Sequence, residues 1–144
     1  MLVSQILNSK ASETVLTISG AASVAEAAAV LSARKIGCLV VSTDGVRPDG
    51  ILSERDIVRE VGKTGATCLT RQVDSLMTRN LVTCAKGDSA DLVLQKMTDG
   101  RFRHMPVVDG GRLVGLISIG DVVKARLAEL AMEKDALEGM IKGF

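Results

Sequence analysis

Two short stretches place a hydroxyl and a carboxylate three residues apart at the end of an apolar run: Gly50-Ile51-Leu52-Ser53-Glu54-Arg55-Asp56 and Gly115-Leu116-Ile117-Ser118-Ile119-Gly120-Asp121. Each reads as a buried strand that runs straight into a helix. Ser-x-x-Asp at such a junction has two physical readings. In one it is a capping box: the Ser hydroxyl accepts from the third helical N–H, the Asp reaches back to the cap, and the helix dipole favours both. In the other, the short carboxylate receives the two hydroxyls of a ribose, as acidic residues do in dinucleotide folds. The free N–H groups of the same helix start suit a phosphate. Ribose and phosphate in one corner specify a nucleotide, and the recurrence of the motif at the same place weakens the purely structural reading.

Other chemistry is scarce. The single histidine, His104, would have to supply all imidazole chemistry alone. No nucleophile–His–acid set, spaced metal ligands or Gly-rich phosphate loop is present, so no catalytic residues are assigned and no metal is required. Cys38, Cys68 and Cys84 are odd in number and lack CxxC spacing, which speaks against a structural zinc site. Cys38 and Cys84 lie in apolar strand-like runs as small hydrophobes, whereas Cys68 sits in a looser stretch where a redox role stays open.

The bulk composition narrows the partners. Eighteen basic against seventeen acidic residues, with no basic block, give no electrostatic case for nucleic acid. There is no Trp or Tyr, and the only aromatic residues are Phe102 and Phe144, so any base-binding pocket is expected to be aliphatic. No apolar run approaches the roughly 18 residues of a membrane span, and the N-terminus lacks a signal-peptide pattern. A reduced, cytoplasmic protein is expected.

The elements that must position Asp56 and Asp121 come in two copies. Val15-Leu16-Thr17-Ile18 matches Leu81-Val82-Thr83-Cys84, Ser23 matches Ser89 and Val41 matches Val107, each 66 positions on. Short amphipathic openings, Val3–Leu7 and Val73–Met77, precede brief strands at Val15–Ile18 and Leu81–Cys84. Helices follow, with apolar stripes at Val24, Ala27, Ala28, Leu31 and at Ala90, Val93, Leu94, Met97. Ser23 and Ser89 are their expected N-caps, and Glu26 is placed to complete a capping box with Ser23. Hairpins come next: Cys38–Val41 with Gly50–Ser53, and Met105–Val108 with Leu113–Ser118. Pro106 marks an edge position or a strand start. Each copy then ends in a helix.

The predicted architecture is therefore α/β, or α+β, with two tandem β-α-β-β-α repeats related by a pseudo-twofold axis. The first repeat spans 1–65, the second 66–128, and a helical extension 129–144. At roughly 60 residues, each half alone has only a marginal core, so the halves should stabilise one another. The final helix carries Val123, Leu127, Leu130, Lys134, Leu137 and Ile141 in heptad steps, with Lys134 interrupting the seam. That stripe either caps its own repeat or pairs two subunits.

The duplicated strand–helix–strand–strand–helix unit, the hydrophobic-x-Pro-Val-Val hairpin and the Gly-h-h-Ser-x-x-Asp exit resemble the CBS domain, named for cystathionine β-synthase. Two in tandem resemble a Bateman module, over about residues 1–130. The resemblance implies a regulatory, non-catalytic role and adenosine nucleotides in clefts between the repeats. AMP is the first expectation, with ATP, ADP, NAD(H) or S-adenosylmethionine as further ligands. It implies ribose contacts for Asp56 and Asp121, and ribose or phosphate contacts for Ser53 and Ser118. Arg55, Arg103 and His104 take phosphate-binding positions. Thr17, Ile18, Ile36, Thr83, Cys84, Met105 and Pro106 flank the adenine. The second copy has Gly120 where the first has Arg55, and the first has Gly37 and Cys38 where the second has Arg103 and His104, so the clefts should not be equivalent. The resemblance further implies a homodimer, energy sensing and an unidentified regulated protein. The competing readings are a protein-interaction scaffold with vestigial clefts and an enzyme that uses Cys68.

Overall fold

Ser23 Oγ accepts from the Glu26 N–H at 3.0 Å and Ser89 Oγ from the Leu92 N–H at 3.1 Å. The two amphipathic stripes thus begin as helices where their caps place them. The computed structural model describes residues 1–10 and 15–142. In chain order it contains α1 (Val3–Ser9), β1 (Thr17–Ile18), α2 (Val24–Arg34), β2 (Cys38–Val41), β3 (Gly50–Ser53) and α3 (Glu54–Thr64). Two 3-10 segments, Gly65–Thr70 and Val73–Ser75, lead into α4 (Ala90–Gly100), β4 (His104–Asp109), β5 (Arg112–Ser118) and α5 (Ile119–Ile141). Glu26 makes only half of the expected capping box. Its carboxylate lies on the exposed surface, where water competes with the backbone N–H.

The first repeat holds a three-stranded sheet ordered β1-β2-β3, with β1 parallel to β2 and β2 antiparallel to β3. In the second, β4 and β5 pair antiparallel from His104↔Ser118 to Asp109↔Arg112. Gly110 and Gly111 close that hairpin with φ of 58° and 81°, a left-handed pair that favours glycine. The expected strand Leu81–Cys84 is reduced to one parallel bridge, Cys84 with Val107. The residues before it are committed elsewhere: Thr78 exchanges backbone hydrogen bonds of 2.8 and 3.0 Å with Ile51 of the other repeat. Likewise only Thr17–Ile18 of the expected Val15–Ile18 strand pairs.

Two buried clusters form, and each borrows from the other copy. Val3 and Ile6 of α1 are buried with Val93, Met97, Met105, Ile117 and Val122 of the second repeat. Val73, with Leu76 and Met77 beside it, packs on Val24, Leu31, Leu39 and Leu52 of the first. The openings of the two copies are therefore exchanged, which explains how halves of marginal size share one stable unit.

The glycines that begin the repeated motif mark where the exchanged segments pass. A Cβ on Gly50 would lie 2.5 Å from Met77 Sδ and 3.0 Å from the Thr78 carbonyl. One on Gly115 would lie 2.7 Å from Leu7 Cδ2. Along α5, Val122 and Ala125 are the buried positions. The heptad residues Val123, Leu127, Leu130, Leu137 and Ile141 face outward, so the stripe is offset from the face that caps the repeat. Among the described residues no helix is long and apolar enough to cross a membrane.

Candidate functional site

The strand–helix junction at Ser53 forms the capping box in full. Ser53 Oγ accepts from the Asp56 N–H at 3.2 Å, and Asp56 Oδ2 accepts from the Ser53 N–H at 2.9 Å. Among the described residues, Asp56 Oδ1 has only a 3.4 Å contact to Arg59 Nη1. One carboxylate oxygen thus fixes the helix start while the other is loosely engaged. The structural reading and the ligand reading are compatible in the same side chain.

Asp56 lines a cavity of about 510 Å³ between the two repeats, a volume in the range of small-molecule sites. The first repeat contributes Cys38, Ile51, Ser53 and Asp56. The second contributes Thr78, Leu81, Val82, Phe102 and Pro106. The apolar lining is therefore not purely aliphatic, as composition had led us to expect, because Phe102, one of the two aromatic residues, is part of it.

The charged lining is strongly asymmetric. Arg55, Arg59, Arg101 and Arg103 line it beside His104, against only two lining carboxylates, Glu54 and Asp56. A Cβ on Gly37 would only make ordinary van der Waals contact with His104 Cε1 at 3.5 Å and Glu54 Oε1 at 3.6 Å, so the glycine is not required for space here. Burial lowers the pKa of His104 below its ordinary 6.5, outweighing the attraction of Asp121 and Glu54, with Lys10 and Arg103 adding to the depression. Burial, and then the charge of Asp56, pushes the Cys38 thiol up to about 12. Burial likewise raises Cys84 to about 11. Neither thiol ionises near neutral pH. Cys68 is fully buried.

The second junction repeats the cap but not the surroundings. Asp121 Oδ2 accepts from the Ser118 N–H at 2.9 Å, and Ser118 Oγ from the Asp121 N–H at 3.1 Å. The same Oδ2 receives Lys10 Nζ at 2.8 Å, and that ammonium also donates to the Leu116 carbonyl at 2.9 Å. Burial pushes the Asp121 pKa up, but the hydrogen bonds from Lys10 and Ser118 outweigh it and hold the carboxyl below its ordinary value. Neither Asp121 nor Ser118 lines the cavity at Asp56.

Of the residues singled out in the sequence, the cavity gathers Ser53, Arg55, Asp56, Arg103, His104 and Pro106. Thr17 and Ile18 form β1, and Ile36 lies exposed after α2. Thr83 is half-buried outside the cavity lining, while Cys84 and Met105 are core residues. Three charged neighbours escaped the sequence reading. Arg59 lies one helical turn after Asp56, a spacing that could have flagged it. Arg101 matches Lys35 at the repeat offset, and both close their helices with left-handed φ, 56° and 54°. Lys10 reaches Asp121 across 111 positions, and nothing local in the sequence announces that pairing.

Comparison with known proteins agrees with this arrangement. The model of the CBS domain matches residues 3–63 and 73–128. A mitochondrial CBS domain-containing protein of Arabidopsis thaliana, CBSX3, is 33% identical over 124 residues, covering 83% of this chain and 60% of the relative. The chain thus spans less than two thirds of that relative, and only 25% of another from the same plant, CBSCBSPB5. A CBS-domain containing protein from Agrobacterium tumefaciens is 47% identical with a TM-score of 0.82, over 87% of this chain and 92% of that one. A CBS domain pair solved in complex with 5′-methylthioadenosine and S-adenosyl-L-methionine is 26% identical with a TM-score of 0.78, over 90% of this chain and 98% of that one. With both halves matched by one family model and the overall fold shared with solved structures of that family, the chain belongs to the CBS domain family, as a tandem pair.

Proposed function

We propose that this chain is a non-catalytic regulatory module that binds an adenosine-containing ligand in the cavity at Asp56. Occupancy is transmitted as a change in how the two repeats, or two copies of the pair, pack. The observation that carries the reading is the position of the cavity. Its walls come from both repeats, and the segment Thr78–Val82 crosses it while tied to Ile51. A ligand seated there contacts both halves at once, so it can favour one relative arrangement by its differential affinity for the two. Asp56 Oδ1 is the ribose acceptor, with Ser53 beside it, and Arg55, Arg103 and His104 meet phosphate. Leu81, Val82, Phe102 and Pro106 flank the base.

The adenosine ligand of the related CBS pair supports the class of molecule. The high pKa of Cys38 argues against a thiol nucleophile in the cavity. The outward stripe on α5 supports a homodimer, since Leu127 and Leu137 are 62% and 59% exposed and a second copy with the same heptads is the complementary surface.

Thermal unfolding against adenosine, AMP, ADP, ATP, NAD, NADH, S-adenosylmethionine and GMP tests the reading. Binding to the native state raises the midpoint by mass action. A shift for adenosine ligands but not GMP, lost in Asp56→Asn, is the expected result. Asn keeps the helix cap and removes the charge. No shift with any adenosine ligand would instead favour the scaffold reading, which the closed Lys10–Asp121 pair already favours for the second junction.

A further inference from the structure

The charge inventory of the cavity goes beyond an adenosine site. Arg55, Arg59, Arg101 and Arg103 come from the start of α3, the end of α4 and the entry to β4. Of these only Arg59 has a carboxylate partner, Asp56, among the described residues. Arg55, Arg101 and Arg103 therefore bring three guanidinium groups to one cavity without an ion pair. Such forks suit phosphate oxygens, and forks that come from separate elements can engage successive phosphates of a linked chain.

Arg101 is the most informative of the three. It sits at φ 56°, where glycine is the usual helix terminator and a side chain is strained. A cation near a helix C-terminus is favourable in itself, and Lys35 shows the same device in the first repeat. Lys35 does not line the cavity, however, whereas Arg101 does.

We infer that the cavity selects an adenosine ligand bearing two or more linked phosphates over AMP and over the sulfonium cation of S-adenosylmethionine, and that Arg101 is a specificity-determining residue. The inference rests on the adenosine reading above. ATP, ADP and NAD carry linked phosphates that can spread over guanidinium groups from three elements. AMP has one phosphate to share among them. S-adenosylmethionine brings an extra positive charge into an already cationic cleft.

Titration calorimetry of the full chain in magnesium-free buffer tests it, with ATP, ADP, NAD, AMP, S-adenosylmethionine and inorganic tripolyphosphate as probes. ATP and ADP are expected to bind at least about tenfold tighter than AMP, the scale of one charge-assisted hydrogen bond. Arg101→Gly should unfold at the same temperature as the parent or higher, because glycine relieves the left-handed strain, yet the ATP-to-AMP ratio should fall toward one. Arg103→Gln, which leaves that backbone untouched, should narrow the ratio in the same direction. AMP or S-adenosylmethionine binding as tightly as ATP would overturn this inference and leave the adenosine reading standing. An unchanged ratio in Arg101→Gly would overturn the role of Arg101. Tripolyphosphate binding as tightly as ATP, or no binding by any adenosine ligand, would overturn both.

Discussion

Lys10 Nζ lies 2.8 Å from Asp121 Oδ2, joining the end of the first opening segment to the helix start of the second repeat. Its counterpart by sequence, Asp56, has as its only ion pair among the described residues a 3.4 Å contact to Arg59 one turn along its own helix. The same Ser-x-x-Asp motif therefore exists in two states within one chain. One carboxylate is neutralised by a distant part of the protein, and the other lines an open cleft. That difference gives the two junctions distinct electrostatic surroundings.

Replacing Lys10 by Met should cost about 1–2 kcal/mol at pH 7, the scale of a charge-assisted hydrogen bond in a partly buried place. The folded state holds the Asp121 carboxyl below its ordinary 3.8, so the stabilisation is complete above that value and is lost as pH falls through the lower folded value. Urea unfolding at pH 7 and at successively lower pH checks this. The gap between parent and Lys10→Met should close in acid.

Asp121→Ala should be the more damaging carboxylate deletion for stability, by about 2–3 kcal/mol, because it removes the cap and strands Lys10. Asp56→Ala should cost about 1 kcal/mol, the worth of a cap. For ligand binding the order reverses: Asp56→Ala should weaken an adenosine nucleotide by about 1.5–3 kcal/mol, and Asp121→Ala by much less. Denaturation and calorimetry on the same two variants read both orders. The Lys10→Met/Asp121→Ala double variant should be less destabilised than the sum of the singles.

Gly50→Ala should destabilise the protein by about 1–3 kcal/mol through overpacking alone, since no left-handed backbone is required there. The added methyl would meet Met77 and the Thr78 carbonyl, which is fixed by its pairing with Ile51. Gly115→Ala should cost less, because the nearest atoms belong to the Leu7 side chain, which can rotate away. Thermal unfolding ranks the pair. Gly50→Ala should also weaken ligand binding, because Thr78 lines the cavity.

His104 predicts a second pH effect with its own window. Its pKa is lowered from 6.5 by burial, against Asp121 and Glu54 and helped by Lys10 and Arg103. The stability it provides as a neutral side chain is complete above about pH 6.5 and declines as pH falls through the lower folded value. His104→Gln should remove that part of the stability–pH curve. A phosphate placed beside the ring favours its protonated form and opposes the depression caused by burial, so nucleotide binding should take up a proton as pH falls below the ordinary histidine value. Calorimetry in buffers of different ionisation enthalpy measures that uptake directly.

Much of this molecule is readable along the chain because its signals are local. Ser23 and Ser89 cap where hydroxyls should, the i, i+3, i+4, i+7 stripes bury Val24, Ala27 and Leu31 in α2 and Ala90, Val93 and Met97 in α4, and the glycine pair at 110–111 closes its hairpin. Ser53 and Asp56 were recognisable for the same reason. Leu81–Val82 carried an equally good strand pattern and formed no strand. The pattern reports apolarity, and a cavity wall requires that as much as a sheet does. Arg101 and Phe102 drew no notice as lining residues, because the end of a helix has no sequence mark for which cleft it faces.

The duplication itself, and with it the identity of the paired junctions, was fixed by sequence, since a repeat is a comparison of the chain with itself. What only the tertiary structure decided is which copy's opening packs on which core. Val3 and Ile6 bury themselves in the second repeat and Val73 in the first, a choice made by the free energy of sharing apolar surface between two undersized cores. That exchange carries Lys10 to Asp121 and leaves Asp56 beside the cleft, so two Ser-x-x-Asp junctions acquire different electrostatic surroundings. Periodicity cannot encode that outcome, because the charge that distinguishes the two carboxylates comes from 111 residues away.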